Sequence, residues 1–206
     1  MKKSLLVAFC IIVVFAITGC NSQSTAPNTF NVLFETSIGN IELTLNRSWA
    51  PVGVDHFYDL IQANYYDQNA FFRVIQSPRP FVAQWGIAAD PDISAKWNFT
   101  INDDPVVGNS NTIGTISYAA EMNSNNYACC RTTQLFINFG DNSFLDSMGF
   151  VPFGYVKSGL DVAMKFYSGY GEQPDQTLIY SEGNSYLQEN FPLLDYLTSA
   201  TIINDK

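Results

Sequence analysis

Two short runs in which apolar and polar residues alternate stand near the front of the chain, "NVLFET" at 31–36 and "IELTLN" at 41–46, joined around Ser37-Ile38-Gly39-Asn40. Alternation with period two sends successive side chains to opposite faces of a strand. Ile41, Leu43 and Leu45 therefore share one face, opposite Glu42 and Thr44, and the Gly-Asn link predicts a hairpin. The period then lengthens. In "WAPVGVDHFYDLIQANYY", Val54, Phe57 and Leu60/Ile61 recur at helical spacing and Pro51 sits at an early helical position, so a helix is expected there. Further on, "FFRVI", "FVAQW", "GTISYA", "TQLFINF", "FVPFGYV" and "TSATII" read as strands between Gly-, Asn- and Pro-bearing loops, and "GLDVAMKFY" as a second helix. Eight or so strands with two helices predict a mainly β fold: a closed eight-stranded antiparallel barrel, which removes exposed edges, capped by two α-helices.

Composition supports this reading. Sixteen Phe and eleven Tyr, with 13 Gly, suit an aromatic interior and many turns. Residues 30–206 form one domain's worth of chain, with no internal repeat or charge block.

The first residues read differently. "MKKSLLVAFCIIVVFAITGC" begins with two lysines, continues as an uncharged run from Leu5 to Ile17, and ends in Thr18-Gly19-Cys20. The run is shorter than the roughly 20 residues that span a bilayer and sits where the core of a secretory leader belongs. Small residues leading into a cysteine resemble the lipobox of bacterial lipoproteins, which implies cleavage after residue 19 and a lipid on Cys20. Residues 20–29, including the polar "NSQSTAPNT", then form a flexible tether. The expected location is the cell envelope on the periplasmic side, with the outer membrane favoured because Asn21 is not the aspartate that retains many lipoproteins in the inner membrane.

Removing residues 1–19 takes away Lys2 and Lys3 and no acid, leaving 8 basic against 19 acidic side chains, a net charge of −11. So acidic a chain without a basic cluster is not expected to bind nucleic acid or to dock electrostatically on anionic lipid. Cys10 leaves with the leader and Cys20 carries the lipid, so only Cys129-Cys130 remains. An adjacent pair cannot staple distant segments. It is read as two small loop residues in preference to a redox switch, and no zinc-binding Cys spacing is present. "GDNSFLD" places Asp141, Asn142 and Asp146 together but lacks the twelve-residue calcium loop, so a turn is expected. No cofactor or metal is expected. The single histidine, His56, is read as a helix-surface or capping-turn residue.

One stretch remains conspicuous. "FFRVIQSPRPFVAQWG", 71–86, is apolar enough for core yet sets Arg73 directly after two phenylalanines. Arginine is seldom fully buried unless paired, so taken alone it reads as a structural, salt-bridged residue. Its neighbours change that. "SIGNIELTLN", "APVGVDHFYDLIQANYYDQNAFFRVI", "FVAQWG", "GTISYAAE", "TQLFIN", "FLDSMGFVPFGYV" and "GLDVAMKF" follow one another in an order that resembles the cyclophilins, peptidyl-prolyl cis/trans isomerases. The resemblance covers about 31–166, with a last strand near Thr201.

The resemblance implies a groove in which Arg73 is the catalytic guanidinium at the prolyl amide. Phe81, Val82, Phe136 and Leu145 would line the proline pocket and Gln84 would hydrogen-bond the substrate. Gln134 would sit beside the groove, and the backbone at Ala119-Ala120 would bond the residue before proline. Phe144 stands where many cyclosporin-sensitive members have Trp, which implies weakened cyclosporin binding. Phe72 and Phe150 stand where the family often has His, making the pocket more apolar. The usual Gln-Gly-Gly-Asp is Gln84-Trp85-Gly86-Ile87, and extra residues in "QSPRPF" separate Arg73 from Phe81, with Arg79 expected to face solvent. The tail beyond Leu178 is read as an arm packed on the barrel.

The chemistry suits such residues. Rotation about a peptide bond meets a barrier of about 18–20 kcal/mol, and only X–Pro bonds populate cis appreciably. Since no covalent bond is broken, no nucleophile, metal or base is needed, only a donor that weakens amide resonance and a pocket for the ring. A gain of roughly 10⁵ in rate asks for about 7 kcal/mol of transition-state stabilisation, within reach of a preorganised cation in a desolvated groove. The expected protein is thus a monomeric, exported, lipid-anchored isomerase acting on unfolded or extended Pro-containing polypeptides. Its alternative is a catalytically weak module of the same fold that binds Pro-containing segments of a partner.

Overall fold

The computed structural model describes residues 25–203, so the leader, Cys20 and the start of the tether lie outside the described residues. The first hairpin forms as the alternation requires. Strands β1 (Thr29–Thr36) and β2 (Gly39–Asn46) pair antiparallel from Thr29↔Asn46 to Thr36↔Gly39, and Ile41, Leu43 and Leu45 are fully buried. Gly39 turns the chain at φ +147°, where Val162 packs within 3.2 Å of the position a Cβ would take.

Helix α1 (Pro51–Gln62) starts at proline, but its Ala50 cap offers no side-chain oxygen. Asp104 supplies the cap from far along the chain: its carboxylate accepts the N–H groups of Val52 at 2.7 Å and Gly53 at 2.8 Å. Buried Arg131 donates to the same carboxylate at 3.0 Å. A negative group at a helix N-terminus satisfies orphan donors and complements the helix dipole.

The remaining strands are β3 (Asn69–Ala70), β4 (Arg73–Val74), β5 (Val82–Trp85), β6 (Thr115–Tyr118), β7 (Glu121–Met122), β8 (Ala128–Cys129), β9 (Leu135–Asn138), β10 (Pro152–Ser158) and β11 (Tyr196–Ile203). Nine of the eleven make one antiparallel sheet in the order β3-β11-β1-β2-β10-β6-β9-β5-β4, and β7 and β8 form a separate hairpin. The two ends of the large sheet are consecutive in the chain, separated only by Phe71 and Phe72. Three peptide links reach about 11 Å at most, so the sheet must curl strongly to bring its edges together.

The expected closed eight-stranded barrel is corrected accordingly: the fold is a curled nine-stranded sheet whose edges are joined by chain and not by a ladder. The reason lies in "FFRVI", which leaves the sheet at its phenylalanines. Phe71 stacks on Phe166 at 3.9 Å in the main core, whereas Phe72 is buried in a second cluster with Ile87, Ile179 and Leu187.

Two helices were also too few. Besides α1 the described residues hold α2 (Pro91–Trp97), α3 (Leu160–Ala163, within "GLDVAMKFY"), α4 (Gln176–Glu182) and α5 (Asn184–Asn190), with a 3₁₀ turn at Ser143–Met148. The tail is indeed packed on the sheet, as helices α4 and α5 whose Ile179 and Leu187 cover Phe72. His56 is another correction. It is 2 % exposed, enclosed by Trp97, Phe99 and Tyr118 at 5.4–6.3 Å between ring centroids. The segment carrying α2 covers the flank of α1 that the helical period left open.

Candidate active site

Alternation along β5 and β9 gives the sheet two working faces. Ala83, Trp85, Leu135 and Ile137 point into the main core, and Val82, Gln84 and Phe136 point the other way. On that second face Val82, Phe136 and Leu145 form their own small apolar cluster, joined by Phe81, Ala119, Met148 and Phe150. They line a groove of about 450 Å³. Arg73 enters it from β4, where its residue pairs with Gln84 in register. Trp85, which replaces the first glycine of the usual Gln-Gly-Gly-Asp, is a core residue packed on Phe34 and Phe71 and does not line the groove.

The structure brings together ten of the sequence-derived residues in this one groove: Arg73, Phe81, Val82, Gln84, Ala119, Ala120, Phe136, Phe144, Leu145 and Phe150. Gln134 lies one step away, in an adjoining polar hollow of about 320 Å³. Phe72 is not brought there. It faces the tail cluster, so of the two phenylalanines in histidine positions only Phe150 makes the groove more apolar. Arg79 is exposed, as expected, with its guanidinium 6.0 Å from the Phe144 ring. The N–H of Ala119 is committed to the Gln134 carbonyl at 2.9 Å, which restricts what that residue can donate.

Polar side chains run in a row along one wall. The Nη1 of Arg73 donates to Gln84 Oε1 at 3.3 Å, Gln84 Nε2 to Gln134 Oε1 at 2.7 Å, and Gln134 Nε2 to Gln176 Oε1 at 3.0 Å and Tyr180 Oη at 3.1 Å. The other edge of the guanidinium is held by Glu172, whose Oε1 accepts from Nε at 2.7 Å and also from Nη2. The Arg73 Cζ lies 5.6 Å from the Phe81 ring centre. The arginine is therefore a positioned cation with its charge partly met.

Sequence reasoning missed Glu172, Gln176, Tyr180, Met122 and Met148. No periodicity marks them, because they reach the site from the loop after α3, from α4, from the β7–β8 hairpin and from the 3₁₀ turn. Beneath the apolar floor lies a buried amide network. Asn142 Nδ2 donates to the Phe81 carbonyl and to Asn138 Oδ1, each at 2.8 Å. Asn111 Nδ2 donates to the Phe150 carbonyl at 2.8 Å and to Asp146 Oδ1 at 2.7 Å, while Ser117 Oγ donates to Asn111 Oδ1 at 2.7 Å. Asn142 and Asp146 thus fasten the loops that carry Phe81 and Phe150, and Asp141 accepts the Ser143 N–H at 3.0 Å in a turn.

Such an arrangement offers one fixed donor edge above an apolar floor wide enough for a small ring. Comparison with known proteins is consistent with it. The family profile described as "Cyclophilin type peptidyl-prolyl cis-trans isomerase/CLD" matches residues 31–180. Peptidyl-prolyl cis-trans isomerase A of Dickeya dadantii is 35% identical over 169 residues, covering 80% of this chain and 84% of that protein. Peptidyl-prolyl cis-trans isomerase of Acinetobacter baylyi is 32% identical over 139 residues, 65% of this chain and 70% of its own. Among solved structures, a cyclophilin-type isomerase of Cryptosporidium parvum, crystallised in the presence of the dipeptide Ala-Pro, superposes with a TM-score of 0.61 at 19% identity, covering 85% of this chain and 99% of its own.

Proposed function

This chain belongs to the cyclophilin-type peptidyl-prolyl cis-trans isomerases, and we infer that it turns over X–Pro bonds in the groove centred on Arg73. The observation that carries this reading is the guanidinium held between Gln84 and Glu172 above the Val82, Phe136 and Leu145 floor. A prolyl ring seated on that floor would place its amide nitrogen below the cation, which withdraws the lone pair from resonance and lowers the rotation barrier. Gln84 fixes the donor, and the Asn111–Asn142 network holds the floor rigid. Such fixed geometry favours the twisted amide over the planar ones.

The substrates are extended Pro-containing segments, as the open groove suits. With the leader and Cys20, the reading extends to an exported enzyme, lipid-anchored on the periplasmic side of the envelope, that assists folding of exported clients as a monomer. Phe144, exposed at the rim, keeps aromatic area but has no indole N–H, so cyclosporin should bind weakly. A second reading, a binding module with slow turnover, is favoured by Glu172, which occupies donors that a substrate would use.

The decisive measurement is isomerisation of an Ala-Pro peptide by the purified chain and by Arg73→Ala. Loss of one preorganised donor should lower kcat/KM by about 10²–10³-fold. Equal rates for the two proteins would refute the Arg73 assignment, and peptide affinity without turnover would establish the second reading. The anchor is tested separately: palmitate incorporation should vanish in Cys20→Ser.

A further inference from the structure

Cys129 and Cys130 lie at the end of the β7–β8 hairpin, on the rim of the site and apart from the polar row that runs from Arg73 to Tyr180. Their sulfurs are 3.0 Å apart, with the Cys130 thiol directed at Cys129. Cys129 is half-buried and Cys130 exposed, and both are free. Cys130 has φ +61°, a left-handed backbone uncommon for a residue with a side chain. The next residue, Arg131, is held in place, buried and paired with Asp104 at 3.0 Å. On the other side lies the hairpin, whose register sets Cys129 opposite Glu121 and Ala128 opposite Met122. Met122 lines the groove, and Cys130 lines the adjoining hollow with Gln134, Gln176 and Tyr180.

We propose that Cys129-Cys130 is a reversible dithiol–disulfide modification site on the rim of the substrate groove, oxidised by small-molecule disulfides. Bridged cysteines usually have Cα atoms about 4.4–6.8 Å apart, whereas neighbours across a trans peptide are about 3.8 Å apart. The bond between neighbours is thus strained and easily reduced, which suits a switch and not a staple. Exposed Cys130 is the attacking group. Its thiolate displaces one thiol from the external disulfide to give a mixed disulfide; the thiolate of Cys129 then attacks Cys130 Sγ and displaces the second. Two protein thiols are oxidised, one disulfide is reduced to two thiols, and each departing sulfur takes up a proton that a cysteine gave up. The contact with Cys130, then burial, then the acidic Glu121 and Asp103 push the Cys129 thiol up to about 11, so the closing attack quickens as pH rises and a neutral oxidant is favoured over an anionic one. Closing the ring pulls Cys130 towards Cys129 and shifts the hairpin that carries Met122. Arg73, across the groove on β4, is untouched.

The effect on substrate rests on the groove reading above, but the chemistry is read out independently of it. The full chain is treated with 2-hydroxyethyl disulfide, alkylated and digested with trypsin. The peptide spanning 97–131 contains Cys129 and Cys130 and no other cysteine. It should become lighter by two hydrogens, resist alkylation, and recover two alkylatable thiols after 2-mercaptoethanol. Oxidation should raise KM for a Pro peptide about threefold with kcat unchanged, and Cys129→Ser/Cys130→Ser should abolish the response. Two thiols that remain alkylatable, two external adducts without an internal bond, or a bridge that 2-mercaptoethanol leaves closed would each overturn the proposal. So would a bridge that forms without any change in KM. An enzyme inactive in both states would count against the groove, while the mass readout would still decide the dithiol.

Discussion

Arg73 shares its charge with Glu172, so the positive potential it can direct at a bound amide depends on a residue that takes no part in packing. The Glu172 side chain is 64% exposed, and an ion pair this open contributes about 0–1 kcal/mol to stability. Its influence on the site is of another kind. Glu172→Gln keeps an acceptor for the guanidinium while removing the neutralising charge. It should raise kcat/KM by about two- to fivefold at low ionic strength, an advantage that shrinks as salt screens it. The thermal midpoint should stay within about 1 °C of wild type; lower activity in this variant would mean that Glu172 serves only to position the arginine. The groove residues Phe81, Gln84 and Phe136 were legible because "FVAQWG" and "TQLFIN" stand in the order that resembles the cyclophilins, and the resemblance assigns them. Glu172 was not, since the contact spans 99 positions and no local pattern encodes it.

The elements divide in the same way. Hairpin β1–β2 and helix α1 were readable because alternation and helical spacing each make a continuous apolar face. α2 carries a local start signal, Asp90 accepting the Asp92 N–H at 2.9 Å ahead of Pro91, but it buries little of its own surface and shows no clean stripe. The α1 cap was not readable either, because Asp104 and Arg131 come from distant loops. Both are buried, and removing one partner leaves the other charge without compensation. Arg131→Met should therefore cost about 3–5 kcal/mol, seen as a lower urea midpoint. Asn111→Ala should act on the groove as well as on stability: it leaves the Phe150 carbonyl and Ser117 Oγ without their partner, costing about 1–3 kcal/mol. KM should rise as the Phe150 wall loosens, and an unchanged KM in the folded variant would separate the network from substrate binding.

At the scale of the molecule, enclosure of His56 ties stability to pH. Burial among aromatic rings lowers its pKa from 6.5 to about 4, against a smaller opposing effect of a backbone hydrogen bond at Thr132. Between these values the unfolded chain takes up a proton that the folded chain refuses, so stability falls as pH drops from 6.5 to about 4. The full effect is about 3 kcal/mol. Above the upper limit and below the lower one this group adds no further slope. Denaturation curves across this window should show the loss in wild type and lack it in His56→Gln; parallel curves would place the acid sensitivity elsewhere. At Asp55, burial raises the pKa but hydrogen bonds from Arg47 and Ala26 more than offset it, so this group acts in a separate, more acidic range below 3.8.

The sequence by itself determined the mainly antiparallel β character, the first hairpin and the first helix, and the order of its segments pointed to ten of the residues that line the groove. Those depend on alternation, helical spacing and the order of short segments, all of which are local. Only the tertiary structure decided that the sheet has nine strands with edges joined through Phe71-Phe72. It alone turned Phe72 towards the tail, buried His56 beneath α2, and brought Glu172, Gln176 and Met122 to the site. Each of these depends on which distant surfaces cover one another. A side chain's face follows from its own strand or helix, but its neighbours and its charge environment follow from the packing of the whole chain.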